Sequence, residues 1–184
     1  DNISKHIKLK SNKMLDNIFR IDGKVIVITG AAGLLGRKHA EIIAAYGGIP
    51  VLIDLHDEPI EKLARKLNEE YNSNAIGFSV DITDGHQVEE NAKQIEKIFG
   101  KIDGLVNNAA NNPKVESKGD EDFSRLENFS LEIWNQDIAV GLTGAFLCCK
   151  SYGTRISENP VGGAIVNISS DLGLVAPDQS LYLK

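Results

Sequence analysis

From Lys24 onward, short apolar runs alternate with amphipathic stretches. Val25–Thr29 (VIVIT) is continuous and rich in β-branched residues, the pattern of a strand buried on both faces. A glycine-rich turn follows, then a helix from about Leu35 to Tyr46. Pro50–Asp54 (PVLID) is a second strand. Asp57 is placed to cap the next helix, with Pro59 in its first turn. That helix carries Ile60, Leu63, Ala64, Leu67 and Tyr71 at helical spacing. Ala75–Ser79 is a third strand, and Thr83 caps a helix with Val88, Ala92, Ile95 and Phe99 on one face. Asp103–Asn107 is a fourth strand. A polar loop, 111–129, leads to a long helix capped by Ser130 and reaching about Ser157; Ala164–Ser169 is the fifth strand. Strands alternating with helices predict βαβ units, right-handed crossovers and an α/β, doubly wound parallel sheet in three layers.

The long helix is apolar on more than one face, through Ile133, Trp134, Ile138, Leu142, Ala145, Phe146 and Leu147. One face is expected to meet the sheet and the other a partner surface such as another subunit. At 184 residues the chain is one domain. The division expected is a flexible N-terminal extension over 1–20 and a dinucleotide-binding domain over 21–184. Residues 1–13 are polar and basic, and Met14 is the only methionine. Either Met14 is the natural start and 1–13 is extra, or 1–13 is a frayed native arm.

The turn Thr29-Gly30-Ala31-Ala32-Gly33-Leu34-Leu35-Gly36 lies between the first strand and the first helix. Small residues there let the backbone approach a pyrophosphate, and the helix start offers N–H groups and a positive dipole. Asp54, at the end of the second strand, can accept both ribose hydroxyls of NAD and would repel the 2′-phosphate of NADP. Leu55 follows it, with no arginine to neutralise that phosphate. Arg37, just beyond the turn, keeps NADP as a minority option, and Asp54 as a plain loop acid is the structural alternative. Strand, glycine turn, helix and acid together specify a dinucleotide site of the Rossmann type.

In this order the motifs resemble the short-chain dehydrogenase/reductase family over about 22 to 175. Thr29 to Gly36 resembles its cofactor turn, although Leu34 stands where a glycine is usual. The TGxxGxxG spacing is closer to extended members of the family and is also used by atypical classical ones. The resemblance implies cofactor contacts at Gly30, Ala32, Gly33, Leu35, Gly36, Asp54 and Leu55. Asp81-Ile82 resembles the adenine contact, with the Asp81 carboxylate on the exocyclic amine. Asn107-Asn108-Ala109-Ala110 resembles the NNAG motif, so Asn108, Ala109 and Ala110 join the cofactor set; Ala110 replaces its glycine. Ile165–Ser170 resembles the strand that delivers the catalytic serine, which the spacing to Gly173 makes Ser170. The chemistry implied is hydride transfer between nicotinamide and an alcohol or carbonyl carbon, with a tyrosine as acid/base and a lysine four residues later.

That tyrosine and lysine do not match. The chain ends Ser180-Leu181-Tyr182-Leu183-Lys184, and Tyr182 has its lysine two positions on rather than four. Residues i and i+2 do not share a helix face, whereas i and i+4 do. The expectation is a domain truncated before its Tyr-x-x-x-Lys helix. Gly141 also stands where the family's V-N-L-x-G-x-F has asparagine; glycine permits a kinked helix but supplies no side-chain bonds. The ending SSDLGLVAPDQSLYLK resembles a subgroup linked to flagellin and surface-sugar modification, which implies a sugar or amino-sugar substrate.

Composition narrows the rest. A net charge of −6 leaves no footprint for nucleic acid or an anionic membrane. No apolar run approaches the roughly 20 residues that span a bilayer. Cys148 and Cys149 are adjacent, a poor disulfide geometry, so reduced thiols and the cytoplasm are expected. The four histidines lack metal-ligand spacing, and no metal is expected. The favoured reading is an NAD-dependent oxidoreductase acting on a small alcohol or carbonyl compound, a homodimer or homotetramer at full length. The alternative is a catalytically inactive dinucleotide-binding module or fragment.

Overall fold

The computed structural model describes residues 18–111 and 127–175. Its elements run β1 (Val25–Thr29), α1 (Leu34–Ala45), β2 (Ile49–Asp54), α2 (Asp57–Tyr71), β3 (Ile76–Ser79), α3 (Gly85–Phe99) and β4 (Gly104–Asn107). After the loop come α4 (Leu131–Ile138), a π-helical stretch over Ala139–Gly144, α5 (Ala145–Ser157), β5 (Ala164–Asn167) and a 3₁₀ turn over Asp171–Gly173. All ladders are parallel and the sheet order is β3-β2-β1-β4-β5. The order reverses at β1, so the loops after β1 and β4 part to opposite sides and leave a crevice at their carboxyl ends.

The strands separate two apolar layers by their period of two. Val25, Val27, Val51, Ile53 and Leu105 face α3 and α5, where they meet Val88, Ala92, Ile95, Cys148, Tyr152 and Ile156. Ile28 and Leu52 face α1 and α2, meeting Ala40, Ile43, Ala44, Ile60, Leu63, Ala64 and Leu67. At the opposite end of the sheet, buried Asp103 accepts from Lys24 Nζ (2.9 Å), Val25 N (2.9 Å) and Lys101 Nζ (2.8 Å). Burial alone would raise its carboxyl; the two ammonium groups and the Val25 N–H outweigh that and hold it below the ordinary value.

Two expected helix starts move. Thr83 does not cap α3; Asp84 does, accepting from His86 N (2.9 Å) and Gln87 N (3.3 Å). Thr83 instead donates through N (2.9 Å) and Oγ1 (2.7 Å) to Asp81 Oδ1. Asp57 is the first residue of α2 rather than its cap, where its charge still favours the helix N-terminus. Ser130 caps α4 as expected, accepting from Ile133 N at 3.2 Å.

The long helix is one rod with a π-helical interruption. Its inner face carries Cys148, Tyr152 and Ile156, and beside this apolar contact with α3 lies a polar cluster. Arg155 donates to both oxygens of Glu89, Nη2 to Oε1 at 2.8 Å and Nη1 to Oε2 at 3.2 Å, and Ser151 Oγ donates to Oε2 at 2.6 Å. Arg155 and Ser151 hold the Glu89 carboxyl at about 2, against an ordinary 4.5. A depressed carboxylate stabilises the fold fully above its unfolded value and loses that contribution as it is protonated. The melting temperature is therefore expected to fall as pH drops from about 4.5 toward 2, and Glu89→Gln should flatten that part of the profile. Calorimetry across pH 2–6 checks this. The outer face carries exposed Leu131, Trp134, Leu142 and Phe146, the second apolar face that the sequence implied. Among the described residues, no helix is long and apolar enough to cross a membrane.

Candidate functional site

Thr29 closes β1 and joins it to β4. Its side chain is buried; Oγ1 accepts from Asn108 N (3.0 Å) and Ala109 N (3.1 Å). Asn108 Nδ2 donates back to Thr29 O (3.0 Å) and Gly30 O (3.1 Å). Gly30 then turns with φ of +62°, and a Cβ on it would lie 2.8 Å from Ala109 Cα. Only glycine combines that dihedral with that approach. Thr29 escaped the sequence reading as a site residue because a strand-end threonine carries no distinctive signal. Thr29→Val, which keeps the volume and leaves two main-chain donors without their acceptor, is expected to destabilise by about 1–3 kcal/mol. Denaturant unfolding measures it.

Gly33 precedes α1 without a side-chain cap, and the first turn of α1 holds no acidic residue. The first N–H groups and the positive end of that helix are thus uncompensated and face the crevice, the arrangement that suits an anionic group. Gly36 sits behind the turn rather than in it. A Cβ there would fall 2.1 Å from Gly30 O and 2.7 Å from Ala31 Cα, so Gly36 lets α1 press against the loop. In this structure its visible part is packing.

Asp54 ends β2 with both carboxylate oxygens engaged by main chain. Oδ2 accepts from Ala32 N at 2.8 Å and Oδ1 from Leu55 N at 2.9 Å. Arg37 Nε donates to Ala32 O at 2.7 Å, so the Ala32 residue is gripped from both sides, by an acid and a base. Each Asp54 oxygen retains a second acceptor site for a hydroxyl. Asp81 follows β3, its Oδ1 held by Thr83, while Ile82 packs against Gly144 of the π-helical stretch.

These pieces surround one cleft of about 660 Å³. Of the cofactor residues expected from the sequence, Gly30, Ala32, Gly33, Leu35, Asp54, Leu55, Asp81, Ile82, Asn108, Ala109 and Ala110 all line it, and Gly36 alone does not. The sequence reading missed Leu34, Ile53, Val80, Asn111 and Val140. Ile53 and Val80 sit beside residues it did name. Val140 reaches the cleft from the π-helical stretch, which no periodicity announces. That stretch also carries Gly141, with nothing within 4 Å of an added Cβ.

Ser170 is not among the cleft-lining residues. It follows β5, its Oγ donates to Asp171 Oδ1 at 3.2 Å, and its carbonyl accepts from Gly173 N at 3.1 Å, so the Ser170–Gly173 spacing closes a tight turn. At the same end of the sheet, Asn107 Nδ2 donates to Asn167 Oδ1 at 2.8 Å and to Cys149 Sγ at 3.2 Å. Cys148 and Cys149 are free thiols. Tyr182, Lys184, Met14 and most of the polar loop lie outside the described residues.

A parallel sheet wound in both directions from β1, with a glycine turn and a strand-end acid at the switch point, defines a Rossmann-type α/β fold. The family profile for short chain dehydrogenases matches residues 24–182, and the chain belongs to that family. A D-threitol dehydrogenase of Mycolicibacterium smegmatis is 37% identical over 90% of this chain and 59% of its own length. An NAD-dependent glycerol dehydrogenase of Listeria innocua is 30% identical over 91% of the chain and 60% of its own. The crystal structure of an NAD⁺-bound xylitol dehydrogenase superposes with a TM-score of 0.74 at 27% identity, covering 88% of this chain and 58% of that one. Relatives also include an enzyme named as NADP-dependent. The chain spans about three-fifths of the length of the relatives it matches.

Proposed function

We propose that this chain is the dinucleotide-binding part of an NAD(H)-dependent oxidoreductase that interconverts an alcohol and a carbonyl on a polyol or sugar. Asp54 carries the reading. A carboxylate at the end of β2, fixed by two main-chain N–H groups on the rim of the cleft, suits a ribose diol and disfavours a phosphate in its place. Uncapped Gly33 and the start of α1 would hold the pyrophosphate. Asp81, Ile82 and Val140 would bound the adenine end, and Asn108, Ala109 and Ala110 the other wall. When bound, the nicotinamide supplies the hydride chemistry. Ser170 would orient the substrate oxygen. In this reading the tyrosine and lysine that complete such a site would come from the part of its relatives' length that this chain does not span.

The sugar side of the reading rests on the likeness to polyol dehydrogenases and on the motifs around Ser170. A reduced, cytoplasmic setting and a homo-oligomer paired along the outer face of α4 and α5 go with it.

The deciding experiment is a fluorescence titration of the gene product with NADH and with NADPH. NADH binding at least tenfold tighter is expected; equal or reversed affinities would sink the cofactor assignment. Oxidation of threitol, glycerol and xylitol is then followed at 340 nm. Tight NADH binding with no turnover on any polyol would leave a binding module in place of the enzyme.

A further inference from the structure

A second cleft, of about 420 Å³, lies on the far side of β3 from the dinucleotide cleft. It is bounded by the open edge of the sheet and by one face of α3, and its lining includes Asp57, Gly77, Ser79, Asn91 and Gln94. Of its lining residues, Val80 alone also lines the dinucleotide cleft.

The strand edge comes first. In a parallel ladder the N–H and C=O of one residue point the same way, and successive residues alternate between the two sides. Val80 N donates to Asp54 O at 2.9 Å, so Val80 and Phe78 turn toward β2. Gly77 and Ser79 therefore turn their main-chain donors and acceptors outward, two residues and roughly 6.6 Å apart. Among the described residues none bonds to those outward groups.

Asn91 is an independent observation. It is 2% exposed, its Oδ1 accepts from Tyr152 OH at 2.9 Å, and its Nδ2 has no partner although it is buried. An unpaired buried amide donor costs about 1–3 kcal/mol and calls for an acceptor. Asn91 lines this cleft. One turn before it, Gln87 is already used by Asp81 N (3.1 Å) and Asp84 Oδ2 (3.1 Å); one turn after it, Gln94 is exposed.

We propose that the cleft between the β3 edge and α3 binds an extended polypeptide segment of a partner protein, which adds to the sheet beside β3. The partner strand exchanges main-chain hydrogen bonds with Gly77 and Ser79. One of its carbonyls accepts from Asn91 Nδ2, and a lysine or arginine on it faces Asp57. Main-chain amides supply donors and acceptors at the repeat that the edge presents, whereas a phosphate or carboxylate would meet the Asp57 charge without a counter-cation in the lining.

The test pans the intact gene product against a displayed library of linear heptapeptides. Enriched peptides are then synthesised and titrated against wild type, Ser79→Pro and Asn91→Leu. Ser79→Pro removes an outward N–H from an edge strand, where proline is tolerated. Peptide affinity is expected to fall at least tenfold in Ser79→Pro and several-fold in Asn91→Leu, with NADH affinity unchanged in Asn91→Leu, since Ser79→Pro also removes the 2.9 Å bond from Ser79 Oγ to Leu55 O beside the dinucleotide cleft. If either variant fails to fold, amide exchange of Gly77 and Ser79 in wild type gives the same reading, slowing at least tenfold when peptide is bound. Failure to enrich any peptide, peptides indifferent to Ser79→Pro, or unchanged exchange at both amides would each overturn the proposal. So would a concentration-dependent dimer abolished by Ser79→Pro, which would give the edge to a second copy of this chain. Because NADH binding is read separately, the two assignments stand or fall apart.

Discussion

Gly36→Ala is expected to lower the melting temperature by about 6–12 °C and to weaken dinucleotide binding more than tenfold. The alanine Cβ would fall 2.1 Å from Gly30 O and 2.7 Å from Ala31 Cα, and both neighbours are main chain. No side chain can swing away, so α1 or the turn must move. Overpacking of this kind costs on the order of 3 kcal/mol. A shift of α1 also drags Gly33, Leu34 and Leu35 off the crevice, so affinity falls although Gly36 is not among the residues lining that cleft. Calorimetry and a binding titration on the same preparation separate the two effects. A melting temperature within 2 °C of wild type would mean that the close approach of helix and turn is not as described.

The second large effect belongs to Asp54. Asp54→Ala should reduce NADH affinity about tenfold to a hundredfold, the scale of one or two charge-assisted hydrogen bonds. It should also reduce the preference for NADH over NADPH, because the carboxylate that repels a 2′-phosphate is gone while Arg37 remains close by. The substitution further releases Ala32 N, held at 2.8 Å, so part of the loss comes from a looser turn. Asp54→Asn separates the contributions: it keeps an acceptor for Ala32 N and removes the charge. Selectivity that is the same in wild type and both variants would remove Asp54 from cofactor choice.

Much of this was legible in the sequence because the physics was local. The four residues VIVI before Thr29 have no polar position at which to face water, so β1 had to be buried, and the acid closing PVLID had to emerge at the carboxyl end of the sheet. Gly30, Gly33 and Asp54 followed from the same strand–turn–helix pattern, and the structure places all three on one cleft. What stayed hidden depends on tertiary contacts. Thr83 and Asp84 are both good caps, and only the engagement of Thr83 with Asp81 leaves Asp84 to close α3. Thr29 looks like any strand end until β4 brings Asn108 and Ala109 to its hydroxyl. The π-helical stretch at Ala139–Gly144 changes which residues of a continuous apolar helix face the cleft, and it brings Val140 there. The 3.6-residue pattern on either side runs straight through it.

The adjacent cysteines have a practical consequence. Cys148 is fully buried, and burial, with Cys149 beside it, pushes its thiol up to about 12. Alkylating reagents act on thiolates, so at neutral pH Cys148 is chemically silent while its neighbour is partly open to solvent. Of the two thiols in this chain, Cys149 is therefore the one that a fluorophore can reach. Its sulfur accepts from Asn107, which also holds Asn167, so such a label would report on the junction of β4 and β5 from inside the unmodified chain.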